Sequence, residues 1–115
     1  MHEHSIATSI VERVEGEVWR LGGGRVDAVY GRVGALSGIA EDVLRSSFDR
    51  AAEATVLQGS RLVIEDMPIL IDCPICEGPR PIRGPRDFHC AECGAPAGEV
   101  VAGRELLVTA LEMHS

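Results

Sequence analysis

Apolar residues recur at helical spacing near the start of the chain. Ile6, Ile10, Val14 and Val18 fall at every fourth position, Val11 and Leu21 widen the stripe, and Glu12, Arg13, Glu15, Glu17 and Arg20 take the other side. This pattern predicts an amphipathic helix from Ser5 to Leu21. Ser5 offers an N-cap oxygen, and Gly22-Gly23-Gly24 supplies the left-handed backbone that ends a helix. No Gly-Lys-Ser/Thr follows the glycines and no strand precedes them, so they read as punctuation rather than as a phosphate loop.

Arg25 to Val33 is short and β-prone, with Val26, Ala28, Val29, Tyr30 and Val33, and reads as a strand. Gly34 to Gly38 turns the chain into a second helix that begins near Ala40 and ends before Gly59. Glu41 and Asp42 sit in its first turn, where the macrodipole favours acids, and Val43, Leu44, Ser47, Phe48, Ala51 and Ala52 form its buried face. Arg61 to Glu65 alternates, with Leu62 and Ile64 toward the core, and Pro68 interrupts before Ile69-Leu70-Ile71. Farther on, Gly78, Pro79, Pro81, Gly84 and Pro85 exclude a helix and favour an open loop or a short irregular hairpin. The run Leu106 to Leu111 is too apolar for a small polar module, so it returns to the first domain as an added strand.

Cys73-Pro-Ile-Cys76 and Cys90-Ala-Glu-Cys93 use all four cysteines in two C-x-x-C pairs. Each pair folds into a tight turn that aims two thiolates at one point, and two such turns supply the donors of a closed, tetrahedral, structural Zn(II) site. Two disulfides, a rubredoxin-like iron site and redox-active dithiols are the competing readings. The expected fold class is α+β: two helices packed on a small β-sheet, with a zinc-ribbon-like module inserted before the last strand. Residues 1–71 and 105–115 form the α+β domain, and residues 72–104 form the zinc-binding module.

Composition narrows the function. The 115 residues carry a formal charge of −7, and every basic residue is Arg. With one Trp, one Tyr and two Phe, stacking platforms for single-stranded nucleic acid are scarce. Counterion release on a phosphate backbone needs a clustered positive face, and only Arg80, Arg83 and Arg86 form a local basic group, read as part of a solvated loop. Four cysteines closing a zinc shell leave no open position for water and no free nucleophile, so no enzyme is expected. The N-terminal acids and the lack of a long apolar run predict a cytoplasmic protein without membrane contact.

Met1-His2-Glu3-His4 concentrates metal-binding groups where a backbone amine is also available. The terminal amine of Met1, the His2 amide nitrogen and His2 Nδ1 can close fused, flat chelate rings around one ion once that amide is deprotonated. A planar, nitrogen-rich site suits Ni(II) or Cu(II) and disfavours tetrahedral Zn(II).

Together these residues resemble the HypA/HybF family of hydrogenase maturation nickel metallochaperones. The resemblance rests on Met1-His2-Glu3 followed by Ser5-Ile6, on Val33-Gly34-Ala35-Leu36-Ser37-Gly38-Ile39 leading to Leu44 and Phe48, on the paired cysteines, and on the closing Gly103-Arg-Glu-Leu-Leu-Val. It covers essentially the whole chain. It implies that His2 and the backbone around Glu3 hold nickel as cargo and that Cys73, Cys76, Cys90 and Cys93 hold structural zinc. The implied partners are a HypB-like maturation GTPase and the large subunit of a [NiFe]-hydrogenase, with the chain itself a monomer or weak homodimer. His4 supplies an extra donor or caps the helix, and His89 exchanges with a thiolate or is a surface histidine. Ala35 and Ala40 depart from the family pattern, where acids are frequent, leaving Glu41 and Asp42 as the nearest carboxylates. The alternative is a zinc-ribbon binding module for nucleic acid or a larger protein complex.

Overall fold

Helix α1 runs from Glu3 to Arg20, with its N-cap at His2, three residues before the expected cap Ser5. His2 is its N-cap and makes no side-chain capping bond, while Ile6 N–H closes the first turn on the His2 carbonyl at 2.9 Å. The helix ends as the glycines demand. Gly22 N–H reaches the Trp19 carbonyl and Gly23 N–H the Val18 carbonyl, with Gly22 and Gly23 at φ +99° and +97°, which is a Schellman stop. The buried stripe is Glu3, Ala7, Val11, Val14 and Val18, rotated from the predicted one. Ile6 and Ile10 flank it half-buried, and Leu21 lies exposed beyond the last turn.

The computed structural model describes residues 2–114. After α1 come β1 (Arg25–Gly34), α2 (Glu41–Ala52), β2 (Arg61–Met67), β3 (Leu70–Cys73), β4 (Gly78–Gly84), β5 (Asp87–Cys90), β6 (Val100–Ala102) and β7 (Leu106–His114). The chain divides into two compact units. One comprises Met1–Gly31, Gly38–Glu65 and Leu107–Ser115, and the other Arg32–Ser37 and Asp66–Leu106. No described helix is long and apolar enough to cross a membrane.

In the first unit α1 packs on α2, and Val26, Ala28 and Val29 of β1 are buried, as are Leu44, Phe48 and Ala52 of α2. Phe48 and Leu57 are both fully buried. Leu57 lies in the turns that follow α2, which stops at Ala52, well short of Gly59. Val43, expected inside, is 45% exposed, because the buried positions Leu44, Phe48 and Ala52 repeat every fourth residue and leave Val43 on the shoulder.

The three-stranded sheet has the order β2-β1-β7, so the final strand does join it, at an edge. Burial does not follow from pairing there: Leu107 is 47% exposed and Val108 39%. A four-stranded sheet of order β5-β4-β3-β6 makes up the rest. Strand β3 pairs antiparallel with β4, Ile71 opposite Arg80 and Cys73 opposite Gly78. The segment between the cysteine pairs is the hairpin β4–β5, with a register shift between Ile82 and Gly84, rather than an open loop. Pro81 turns its carbonyl to Ala91 N–H, so its missing donor faces away from β3. Pro79, two residues earlier, shares that side, and the β3–β4 ladder therefore loses no donor to either proline.

Backbone meets backbone where the turn after β1 reaches residue 103. Leu36 N–H donates to the Gly103 carbonyl and Gly34 N–H to the Glu105 carbonyl, at 2.6 and 2.7 Å. A Cβ on Gly34 would overlap the Gly103 peptide, and one on Gly103, at φ +110°, would press on Ile69.

Candidate metal centres

Two matching turns bring the four cysteines together. Cys73 closes β3 and Cys90 closes β5, and after each C-x-x-C the next N–H returns to the first carbonyl: Glu77 to Cys73 at 2.8 Å, Gly94 to Cys90 at 2.9 Å. Both turns end on a left-handed residue, Glu77 at φ +56° and Gly94 at φ +78°. Within each turn the second cysteine's N–H points at the first sulfur, Cys76 to Cys73 Sγ at 3.4 Å and Cys93 to Cys90 Sγ at 3.5 Å. The spacing thus writes the local fold, because only two residues separate the two cysteines of a turn.

The four sulfurs lie within 4.8 Å of one another, with Cys73 Sγ to Cys93 Sγ at 3.4 Å and Cys76 Sγ to Cys90 Sγ at 3.9 Å. Sulfurs about 2.3 Å from a tetrahedral zinc stand about 3.8 Å apart, so this donor set fits that ion with small shifts of the sulfurs. The cysteines are free thiols rather than disulfides. Cys73 and Cys90 are buried with Ile71, and Cys76, Ile82, Ala95, Ala97 and Val100 pack around them. The Cys93 N–H at its sulfur draws the Cys90 thiol down to about 6, whereas burial, then the neighbouring thiols, push Cys76 up to about 12. Such crowded sulfur is relieved by a cation that all four thiolates share.

Arg80 is an element of this lobe rather than of a solvated loop. It sits on β4, one-third exposed, and forms an ion pair with Glu92 inside the second C-x-x-C turn. His89 is an exposed β5 residue with its Nδ1 2.6 Å from Asp87 Oδ1. His114 Nδ1 lies 2.7 Å from Asp27 Oδ1. Neither carboxylate partner was visible in the sequence, since one pairing is set by a hairpin end and the other by two strands far apart along the chain.

At the other site, His2 is exposed at the N-cap of α1 and Glu3 is 4% exposed. The Glu3 carboxylate accepts the backbone N–H of Ala40 at 2.9 Å, and this bond, more than any other cause, holds its pKa down to about 2. Glu3 therefore fixes the chain immediately after His2. The predicted amine donor, Met1, lies outside the described residues. His4 is exposed in the first turn and its carbonyl accepts the Thr8 hydroxyl. It does not cap the helix, because residue 2 holds that position.

Comparisons with known proteins agree with this architecture. The family model described as hydrogenase/urease nickel incorporation, metallochaperone, HypA matches residues 1–113. The hydrogenase maturation factor HypA of Chloroflexus aurantiacus is 45% identical over 112 residues, covering 97% of this chain and 98% of the relative. That of Geobacter metallireducens is 42% identical over 114 residues, covering 99% and 100%. Among solved structures, a HypA protein in solution superposes with a TM-score of 0.75 at 22% identity, over 99% of this chain and 97% of the other. The nickel metallochaperone HypA from Helicobacter pylori gives 0.67 at 21%, over 98% and 97%. The whole length of the chain, from the His2 segment through both cysteine turns, therefore belongs to the HypA family of nickel-incorporation metallochaperones.

Proposed function

We propose that this chain carries Ni(II) during maturation of a [NiFe]-hydrogenase, holding it as cargo at the N-terminus and keeping Zn(II) as a structural ion in the cysteine lobe. The observation that carries the reading is Glu3. A buried carboxylate clamped to Ala40 fixes the backbone at residue 3 and leaves His2 exposed beside it. The amine of Met1, the amide and imidazole of His2 and the backbone around Glu3 form the nickel donors. Cys73, Cys76, Cys90 and Cys93 hold the zinc.

Each group has a distinct task. The four thiolates order a lobe whose buried residues are few, and His2 presents an accessible set of nitrogens from which metal can pass to another protein. Transfer, not bond chemistry, is the activity, with a HypB-like GTPase and the hydrogenase large subunit as the proteins served and the cytoplasm as the compartment.

Calorimetry with zinc-loaded protein tests this. Authentic chain binds nickel, while chain extended by one residue before Met1, and the His2→Ala variant, bind far more weakly with zinc content unchanged. Equal nickel affinity in authentic and extended protein would rule out the amine-dependent site.

A further inference from the structure

Burial along β4 alternates strictly: Gly78, Arg80, Ile82 and Gly84 are half-buried, and Pro79, Pro81 and Arg83 are exposed. Successive side chains of a strand point to opposite faces, so Arg80 shares its face with Gly78 and Ile82. The neighbouring strands show what that face carries. On β3, Cys73 lies opposite Gly78 and Ile71 opposite Arg80, and on β5, Cys90 lies opposite Ile82. Directly opposed residues share a face. Arg80 therefore stands between the positions that face Cys73 and Cys90, on the side of the sheet where both cysteines and Ile71 are fully buried.

A cation on such a face needs compensation, because an isolated charge taken out of water is costly. Glu92 supplies part of it. This carboxylate, inside the second cysteine turn, pairs with the Arg80 Nε, yet the Glu92 side chain is 60% exposed against 33% for Arg80, so water screens the acid more than the guanidinium. The Nε atom is buried and has no directed hydrogen bond among the described residues, while Nη1 donates to the Pro79 carbonyl at 2.7 Å.

The sulfurs supply the rest. Four thiolates around one divalent ion leave two negative charges in excess, and water does not reach the buried pair, Cys73 and Cys90, to spread them. Glu92 first, and the Cys76 and Cys90 sulfurs after it, hold the Arg80 guanidinium charged against its burial. Groups just outside a metal's ligands tune the charge and orientation of those ligands. A guanidinium suits that place, since it keeps its proton and its planar fork can serve a carboxylate and a sulfur together.

We infer that Arg80 is the counter-ion of the four-thiolate centre, a positioning residue that strengthens zinc retention by offsetting the excess charge on the sulfurs. The inference deepens the zinc reading proposed above and rests on it. Arg86, exposed in the turn between β4 and β5, has no such place. In a carrier of nickel, firm retention keeps the structural ion from exchanging with the cargo, which competes for the same thiolates.

Two measurements on the full chain test this: competition for zinc with a chromogenic chelator at fixed pH, and the thiolate-to-metal charge-transfer absorption of the cobalt(II)-substituted protein. Arg80→Gln should bind zinc about 10–100-fold more weakly than the parent. Removing a cation beside the sulfurs raises the energy of their electrons, so the cobalt band of this variant should move to longer wavelength. Arg80→Lys keeps the charge and should recover most of both properties. Glu92→Gln removes the ion pair but leaves the cation, so it should hold zinc at least as tightly as the parent. Arg86→Gln takes the same charge from an exposed turn and should change neither measurement. Should Arg80→Gln take up no metal at all, a parent-like cobalt band in Arg80→Lys supports the proposal. Equal weakening by Arg80→Gln and Glu92→Gln would make Arg80 a strap for the cysteine turn alone and overturn it. An unshifted band in metal-loaded Arg80→Gln, or a Lys variant as weak as the Gln variant, overturns it too. A parent chain that binds no zinc overturns the zinc reading and this inference together, whereas a zinc-loaded parent matched by Arg80→Gln overturns this inference alone.

Discussion

Glu3 and Ala40 are joined by one hydrogen bond, carboxylate to backbone N–H at 2.9 Å, which ties the first residue of α1 to the N-cap of α2. The bond satisfies the N–H of the N-cap residue at a helix start that has no side-chain cap of its own, so a residue far away in sequence does what the N3 Glu of a capping box does locally.

That bond predicts a pH dependence. The Ala40 N–H holds Glu3 at about 2 in the folded chain, against an ordinary value of 4.5. A depressed carboxylate pKa means that the unfolded chain binds more protons between these values, so stability is full above about 4.5 and falls as the pH drops toward 2. Thermal melts of the parent and Glu3→Gln should differ by a constant amount above pH 5 and converge in that acid window. Parallel curves throughout would show that the charge of Glu3 contributes nothing.

Metal removal should unfold one lobe selectively. The buried set around the cysteines is small, Ile71, Cys73 and Cys90, and structural zinc in finger peptides contributes on the order of 10–16 kcal/mol at neutral pH. Chelation, or Ala at any of the four cysteines, should expose the amides of residues 72–104 to rapid exchange while α1 and α2 keep their helical circular dichroism. Loss of both signals together would mean that the helical unit depends on the metal.

The residues that end the two cysteine turns should respond in opposite directions. Glu77 holds φ +56° with a side chain, a strain of about 1–2 kcal/mol that Gly lacks, partly offset by the chain entropy Gly loses on folding. Glu77→Gly should leave the zinc lobe as stable or slightly more so. Gly94→Ala should weaken it, because a Cβ there is strained at φ +78° and meets the Arg83 guanidinium. Rates of zinc loss to a chromogenic chelator measure both.

Phe48→Ala removes the largest fully buried side chain of the first unit. A cost of about 3–5 kcal/mol is expected, read from denaturant melts of the zinc-loaded chain. A cost below about 1 kcal/mol would show that α1 and α2 collapse into the space.

What the sequence disclosed was whatever is encoded locally. Triple glycine marked the end of α1 to within one residue, and the C-x-x-C pairs announced a four-sulfur cluster. Errors arose where a distant residue decided the outcome. Ser5 looked like a cap, but the Glu3 bond to Ala40 draws the helix start back to Glu3, and burial of Glu3 rotates the stripe away from Ile6 and Ile10. The glycines and prolines of residues 78–85 left an open loop and a short irregular hairpin both possible, and the hairpin forms because the spacing of Pro79 and Pro81 aims both missing donors to one side. The run from Leu106 to Leu111 does add a strand to the first sheet, but nothing local says that this strand is an edge that leaves Leu107 and Val108 exposed.

The contact between Gly34 and Gly103 bears on how the chain comes to be made. These glycines meet backbone to backbone, and both cysteine turns lie in the stretch of chain between them. During synthesis residue 103 leaves the ribosome after both cysteine turns, so Gly34 must wait with its partner unmade while those turns emerge. A zinc ion captured at that moment shortens the free loop that the glycines have to close, and the entropy of that closure falls with it. A metal ion held there would thus act as a timing device as well as a staple, and a chain starved of metal would close the longer loop unaided.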